Sequence, residues 1–179
     1  LIFTFLMLVP AAITMMVLEP YRRARLLAFR DPWEDMQGIG YQIIQSMVAL
    51  ANGGVFGSGL GEGTQKLFFL PAPHTDFILS VLGEELGFIG VLFVVTLFGL
   101  WVWRGYSIAL ATNDDFGFFL VISAVSLLGL QAIVNMGVAM SLLPTTGIAL
   151  PFFSYGGSSM VTAMVASGIV LSVSRRARL

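Results

Sequence analysis

The stretch FGFFLVISAVSLLGLQAIVNMGVAMSLLPTTGIALPFFSYGGSSMVTAMVASGIVLSVS, residues 116–174, contains no Asp, Glu, Lys or Arg over 59 positions. A helix needs roughly 20 apolar residues to cross a hydrocarbon core about 30 Å thick, so this run is too long for one crossing and suits two with a connection. The connection is written into it: Pro144, Gly147, Pro151, Gly156 and Gly157 cluster in its middle, and Pro and Gly interrupt helices. Charge-free intervals at 1–18, 36–61 and 86–103 each supply one more candidate span, the second weakened by Gln42, Gln45 and Asn52. The expected fold is an all-α polytopic membrane protein, a single membrane domain over 1–179 of about five transmembrane helices. Short or re-entrant helices are expected in a large outer loop.

Composition agrees with that reading. The chain is 57% hydrophobic and 11% charged, where a soluble domain carries about 25% charged residues. A net charge of -1 leaves no basic surface to neutralise a nucleic-acid backbone, which excludes nucleic acid as a main partner. Cysteine is absent, which removes disulfides, thiolate nucleophiles and Cys-based metal sites. Leu1 stands inside an apolar run, so the N-terminus reads as the cut edge of a longer protein.

Lys and Arg concentrate on the cytoplasmic side of a membrane protein. With five spans, Arg22, Arg23, Arg25, Arg30, Arg104, Arg175, Arg176 and Arg178 fall on one side and Lys66 alone on the other. This places residues 19–35, 104–115 and the C-terminus in the cytoplasm. The outer face then holds two loops, 58–85 and 144–158. Asp31-Pro32-Trp33 reads as an interfacial anchor.

Gln42, Gln45, Ser46, Ala49, Asn52 and Gly53 recur at helical spacing and share one face. Such a face meets protein or a water-filled groove, either as interhelical glue or as a wall for a polar substrate. Gln131 and Asn135 stack at i and i+4, and Ser159, Ala163, Ala166, Ser167, Val170 and Ser174 make a small-residue stripe suited to close packing.

Gly57-Ser58-Gly59-Leu60-Gly61-Glu62-Gly63 lacks dinucleotide and Walker spacing and context, so its glycines serve a tight turn. Lys66 is either a snorkelling interfacial side chain or a phosphate partner. Asp76, after Leu70-Pro71-Ala72-Pro73-His74-Thr75, is placed to cap a helix. From there Asp76, Ser80 and Glu84 recur at i, i+4 and i+8 along one face, an arrangement that suits a polar site. His74 is expected to make a loop hydrogen bond, and no metal site is assigned. Ser154, Gly156, Gly157 and Ser158 at a helix start offer backbone N–H groups as an anion seat, or alternatively form a capped re-entrant turn.

Gly57–Gly61, Gln65-Lys66, Leu70-Pro71, His74-Thr75-Asp76-Phe77, Glu84-Glu85-Leu86-Gly87, Asn135, Pro144, Thr146-Gly147, Leu150-Pro151-Phe152 and Ser154-Tyr155-Gly156-Gly157-Ser158-Ser159 resemble the SEDS family (shape, elongation, division and sporulation). Gln65-Lys66-Leu67 and Arg30-Asp31-Pro32-Trp33 resemble its division branch, while Ser141 and Ala149 depart from the common Gly and Pro. The resemblance implies the last five of ten spans of a peptidoglycan glycosyltransferase. Such an enzyme polymerises lipid II into a glycan strand at the outer face of the bacterial cytoplasmic membrane, at the division site. It also implies a class B penicillin-binding transpeptidase and other divisome membrane proteins as partners, and Asp76 as catalytic carboxylate. Lys66, Ser80, Glu84, Gln42, Gln45, Asn52, Ser154, Gly156, Gly157 and Ser158 are then the substrate-binding candidates. The leaving diphosphate needs compensation, for which Lys66, the Gly156-Gly157 turn, a divalent cation (Mg or Mn) or the rest of the protein are the candidates. A lipid II flippase and a noncatalytic division scaffold are the rival readings.

Overall fold

The structure is a computed structural model that describes residues 19–36, 38–63 and 76–176. Among these residues its regular secondary structure is helix: α1 (Pro20–Arg30), α2 (Ile39–Gly53), α3 (Ile78–Leu110), α4 (Asp115–Ala139) and α5 (Gly157–Ser174). Three helices, α3, α4 and α5, are long and apolar enough to cross a membrane. Their outward faces carry Phe88, Leu92, Phe93, Leu100, Leu127, Met164 and Leu171, an apolar surface that water would not support and lipid does. The chain is a multi-pass, all-helical membrane protein.

Local chemistry sets each boundary. Pro20 opens α1, where its missing N–H costs nothing, and Arg30 sits in the last turn, where a cation favours the helix dipole. Asp31 then turns the chain, its Oδ1 accepting from the Trp33 N–H at 3.1 Å. The Asp114 carboxylate caps α4 by accepting from the Gly117 N–H at 3.0 Å. α4 lies between α3 and α5. Ile108, Val121, Val125, Leu128, Ala163, Ala166 and Val170 form one buried cluster among the three helices. Small residues set the spacing, with Gly129 against Val102, and Ala163, Ala166 and Val170 bear out the packing role expected of the α5 stripe.

α3 is bent at Gly87, whose φ of 69° and ψ of -167° are not helical. Residues 78–86 and 88–110 form two limbs that fold towards each other: a Cβ placed on Gly83 would lie 3.2 Å from a Val91 methyl, whereas a straight helix separates residues eight apart by about 12 Å. The elbow leaves backbone groups without helical partners, and the turn after α2 supplies them. Phe88 and Ile89 donate their N–H groups to the carbonyls of Gly54 (2.9 Å) and Val55 (3.3 Å). In return the N–H groups of Ser58 and Gly59 donate to the carbonyls of Glu84 (2.9 Å) and Glu85 (3.1 Å). A Cβ at Gly57 would collide with the Glu85 carbonyl, so the glycines of this segment are what let it enter the elbow.

The structure corrects the expected second span. The charge-free interval 36–61 is long enough by count, but its helix, α2, has 15 residues, about 22 Å, short of a hydrocarbon core. It ends at Gly54 and Gly57, both at positive φ. α2 runs parallel to the first limb of α3: Ser46 meets Ser80, Leu50 meets Gly83, and Gly54 meets Phe88. Both of its ends therefore lie at the same end of the bundle as the α4 C-terminus. Residues 19–35 consequently lie with Asp76 and the 144–158 loop, because the Arg25 guanidinium Nη1 donates to the Thr145 carbonyl at 2.9 Å. The opposite end is formed by Thr112, Gly117 and Val173. Charge counting misplaced 19–35 because it took α2 for a crossing and so inverted the parity of everything before it. The first expected span, 1–18, lies outside the described residues.

Candidate functional site

The site is assembled by the loop between α4 and α5, which is tied down by three side chains from two helices. Gln131 Nε2 donates to the Ala149 carbonyl at 2.9 Å, Asn135 Nδ2 to the Ile148 carbonyl at 2.7 Å, and Arg25 Nη1 to that of Thr145. Within the loop the Leu150 N–H donates to Ser154 Oγ at 2.7 Å, closing a turn. Gly147, at φ 78°, directs the chain past Asp76: a Cβ there would lie 3.8 Å from Asp76 Oδ2. Asn135 also donates to the Asp76 backbone carbonyl at 3.0 Å, so one buried amide holds the loop and the Asp76 segment together.

Asp76 stands in the turn just before α3 and is half-buried. Burial pushes its carboxyl pKa up, and the positive charge of Arg25 pulls partly back down; loss of hydration disfavours the charged form and a nearby cation favours it. The result is a carboxylate more basic than usual, a property suited to accepting a proton near neutral pH.

Two residues further along, Ile78 lines a cleft of about 630 Å³ with Phe153, Ser154, Tyr155, Gly156, Gly157 and Met160; Asp76 stands before this wall and is not itself part of the lining. Its floor is the start of α5. The N-cap there is Gly156, with no side-chain cap hydrogen bond, so the first-turn N–H groups are left for whatever occupies the cleft. The expected seat at Gly156 and Gly157 therefore lines a real opening. Ser154 also lines it, though it is buried and its oxygen is engaged by Leu150. Ser158 is exposed on the first turn.

Other expected site residues do not converge on this cleft. Ser80 is 0% exposed and its hydroxyl meets that of Ser46 at 2.6 Å, while Ser46 donates to the Ala139 carbonyl at 2.7 Å. That chain of hydroxyls joins α2, α3 and α4 and is a packing device. Glu84 is 2% exposed, close to the elbow and covered by Gly63, and does not share an open face with Asp76. Ser80 and Glu84 do lie on one turn-spaced face of α3, but Asp76 stands in the turn before that helix, and the face is directed inward, where α2 and the glycine segment cover it. Nor does Asp76 cap α3, whose N-cap is Phe77 with no side-chain cap bond. Along the polar face of α2, Ser46, Ala49 and Gly53 are buried in packing, Gln42 and Gln45 are half-buried, and Asn52 is exposed. Lys66 and His74 lie outside the described residues. Among the described residues no three metal-ligating side chains converge.

Arg25 is the site residue that sequence reasoning missed. Its signal was an arginine one helical turn from an apolar face (Ala28, Phe29), yet its hydrogen-bond partner Thr145 lies 120 residues away. Asn135 is legible in the sequence as half of a stacked polar pair and as one of the residues that carry the family resemblance, but with no role attached.

The chain is similar to known proteins in sequence and fold. The model of the family described as "Cell cycle protein", FTSW_RODA_SPOVE, matches residues 1–179. The chain is 59% identical over 156 residues to "Probable peptidoglycan glycosyltransferase FtsW" of Geobacter metallireducens, covering 87% of this chain and 42% of that one. It is 49% identical over 159 residues to "Stage V sporulation protein E" of Bacillus subtilis, covering 89% and 43%. Among solved structures, a chain from a peptidoglycan synthase complex that coordinates polymerization and crosslinking matches at a TM-score of 0.71 and 38% identity, over 99% of this chain and 48% of that one. A variant of the Thermus thermophilus rod shape determining protein RodA matches at 0.57 and 38%, over 74% and 41%. The chain spans less than half the length of the relatives it matches.

Proposed function

The chain belongs to the FtsW/RodA/SpoVE family of cell cycle proteins, and from that membership we propose that it forms the catalytic side of a peptidoglycan glycosyltransferase acting on lipid II in cell division. The end of the bundle bearing Asp76 then faces outward across the bacterial cytoplasmic membrane, and the C-terminus faces the cytoplasm. The observation that carries the reading is a half-buried, proton-seeking carboxylate at Asp76, two residues before Ile78 in the wall of a cleft that ends on the uncapped α5 N-terminus.

In the proposed step an acceptor sugar hydroxyl attacks the anomeric carbon of the lipid-linked donor, forming the new glycosidic C–O bond. The bond to undecaprenyl diphosphate breaks and its electron pair leaves with the diphosphate. Asp76 takes the hydroxyl proton as general base. The N–H groups at Gly157 and beyond, with the positive end of the α5 dipole, favour the developing phosphate charge. Lys66 and Ser158 are proposed to assist there, and Gln42, Gln45 and Asn52 to border the approach of the substrate. A class B penicillin-binding transpeptidase is the proposed partner for crosslinking the new strand, alongside other divisome membrane proteins. The reading is tested by glycan formation from labelled lipid II by the full-length protein, wild type against Asp76→Asn. Polymerisation that survives the substitution would overturn it.

A further inference from the structure

Asn135 is 1% exposed near the C-terminal end of α4, and its amide nitrogen donates both of its protons across element boundaries, to the backbone carbonyl of Asp76 at 3.0 Å and to that of Ile148 at 2.7 Å. Its Oδ1 is buried without a partner. A buried polar atom left unpaired is costly, and a residue is retained in that state when its other hydrogen bonds do work that an apolar side chain cannot. Here the two acceptors belong to the turn that carries Asp76, just before the cleft residue Ile78, and to the loop that passes the Asp76 carboxylate at Gly147, where a Cβ would lie 3.8 Å from Oδ2. Deleting the amide leaves packing at this point to Leu79, Leu150, Ala132 and Met136, which restrain the backbone without fixing the angle at which the carboxylate is presented.

We propose that Asn135 is a positioning residue of the site, its side-chain amide holding the Asp76 turn and the 144–150 loop in fixed register so that the carboxylate meets the substrate hydroxyl. The inference rests on the glycosyltransferase reading and deepens it. Asn135 touches no reacting atom; it acts through Asp76. A displacement of a reacting group by about an ångström costs up to about 100-fold in rate, and that loss belongs to the chemical step rather than to substrate binding.

The test uses the full-length protein reconstituted with lipid II. Asn135→Leu, which keeps the branched heavy-atom skeleton and has no donors, is expected to lower kcat about 10-fold or more while KM changes less than about 2-fold. Hydrogen exchange gives a readout independent of turnover: in Asn135→Leu, residues 76–80 and 146–150 should lose protection together. Loosening of one segment alone, or a rise in KM with kcat retained, would each overturn the proposal. An inactive wild type would count against the enzymatic reading, while joint loosening of the two segments would still decide whether Asn135 is the clamp.

Discussion

Arg25 and Thr145 are joined by a hydrogen bond of 2.9 Å from the guanidinium Nη1 to the backbone carbonyl, although 120 residues separate them in the chain. The same guanidinium lowers the pKa of Asp76 against the stronger effect of burial. One side chain thus pins α1 to the cleft loop and keeps the candidate base ionised over a wider pH range than burial alone would permit. Replacing it by glutamine preserves much of the length and removes the charge. The acid limb of the pH–rate profile of Arg25→Gln should therefore move to higher pH, because Asp76 would hold its proton longer. A limb that stays in place would show that the two groups are electrostatically independent.

Asp76→Asn should lower polymerisation by roughly 100-fold or more, the scale of losing a general base. Stability should respond in the opposite sense to the usual loss of a charge. The folded-state pKa of Asp76 is raised, so its contribution to stability is present at low pH, below the unfolded-state pKa, and is lost as pH rises through the folded-state pKa. At neutral pH the ionised carboxylate is the unfavourable form, and the neutral amide should leave the protein at least as stable. Thermal unfolding at pH 7 checks this; marked destabilisation would assign Asp76 a structural role instead.

The placement of α1 can be read by chemical labelling, since the chain has no cysteine. Single cysteines at Glu34, Tyr155 and Asp114 occupy exposed positions. Those at Glu34 and Tyr155 should react with an impermeant thiol reagent from outside intact cells, and that at Asp114 should be protected. Grouping of 34 with 114 would restore α2 as a crossing and refute the arrangement of this end of the bundle.

Gly87→Ala replaces a glycine inside what looks from its sequence like a continuous helix, where alanine would ordinarily gain about 1 kcal/mol. At φ 69° the sign reverses. The left-handed conformation alone costs a side chain about 1–3 kcal/mol, and the new Cβ would press on the Val55 carbonyl and the Gly57 nitrogen. A lower unfolding temperature is expected, with hydrogen-exchange protection lost first at 54–59. An unchanged or higher unfolding temperature would mean that the elbow is not required.

Crossing helices are legible because a membrane imposes one requirement along the chain: about 20 residues without charge. The limits of α4 and α5 follow from Asp114, the Pro/Gly cluster and Arg175, all visible in the primary structure. Asp76 and the Gly156-Gly157 turn could be singled out for the same reason, as polar or flexible residues beside apolar runs. The fate of α2, the inward turn of Ser80 and Glu84, and the company of Asp76 could not be read this way. Each depends on pairings between distant segments, Ser46 with Ser80, Gly54 with Phe88, Arg25 with Thr145 and Asn135 with Ile148. Spacing along a chain reports which residues share a face, whereas the partner that covers the face is chosen by packing in three dimensions. That is why Ser80 and Glu84 are buried, against Ser46 and Gly63, while Asp76 stays half-buried at the head of the same segment.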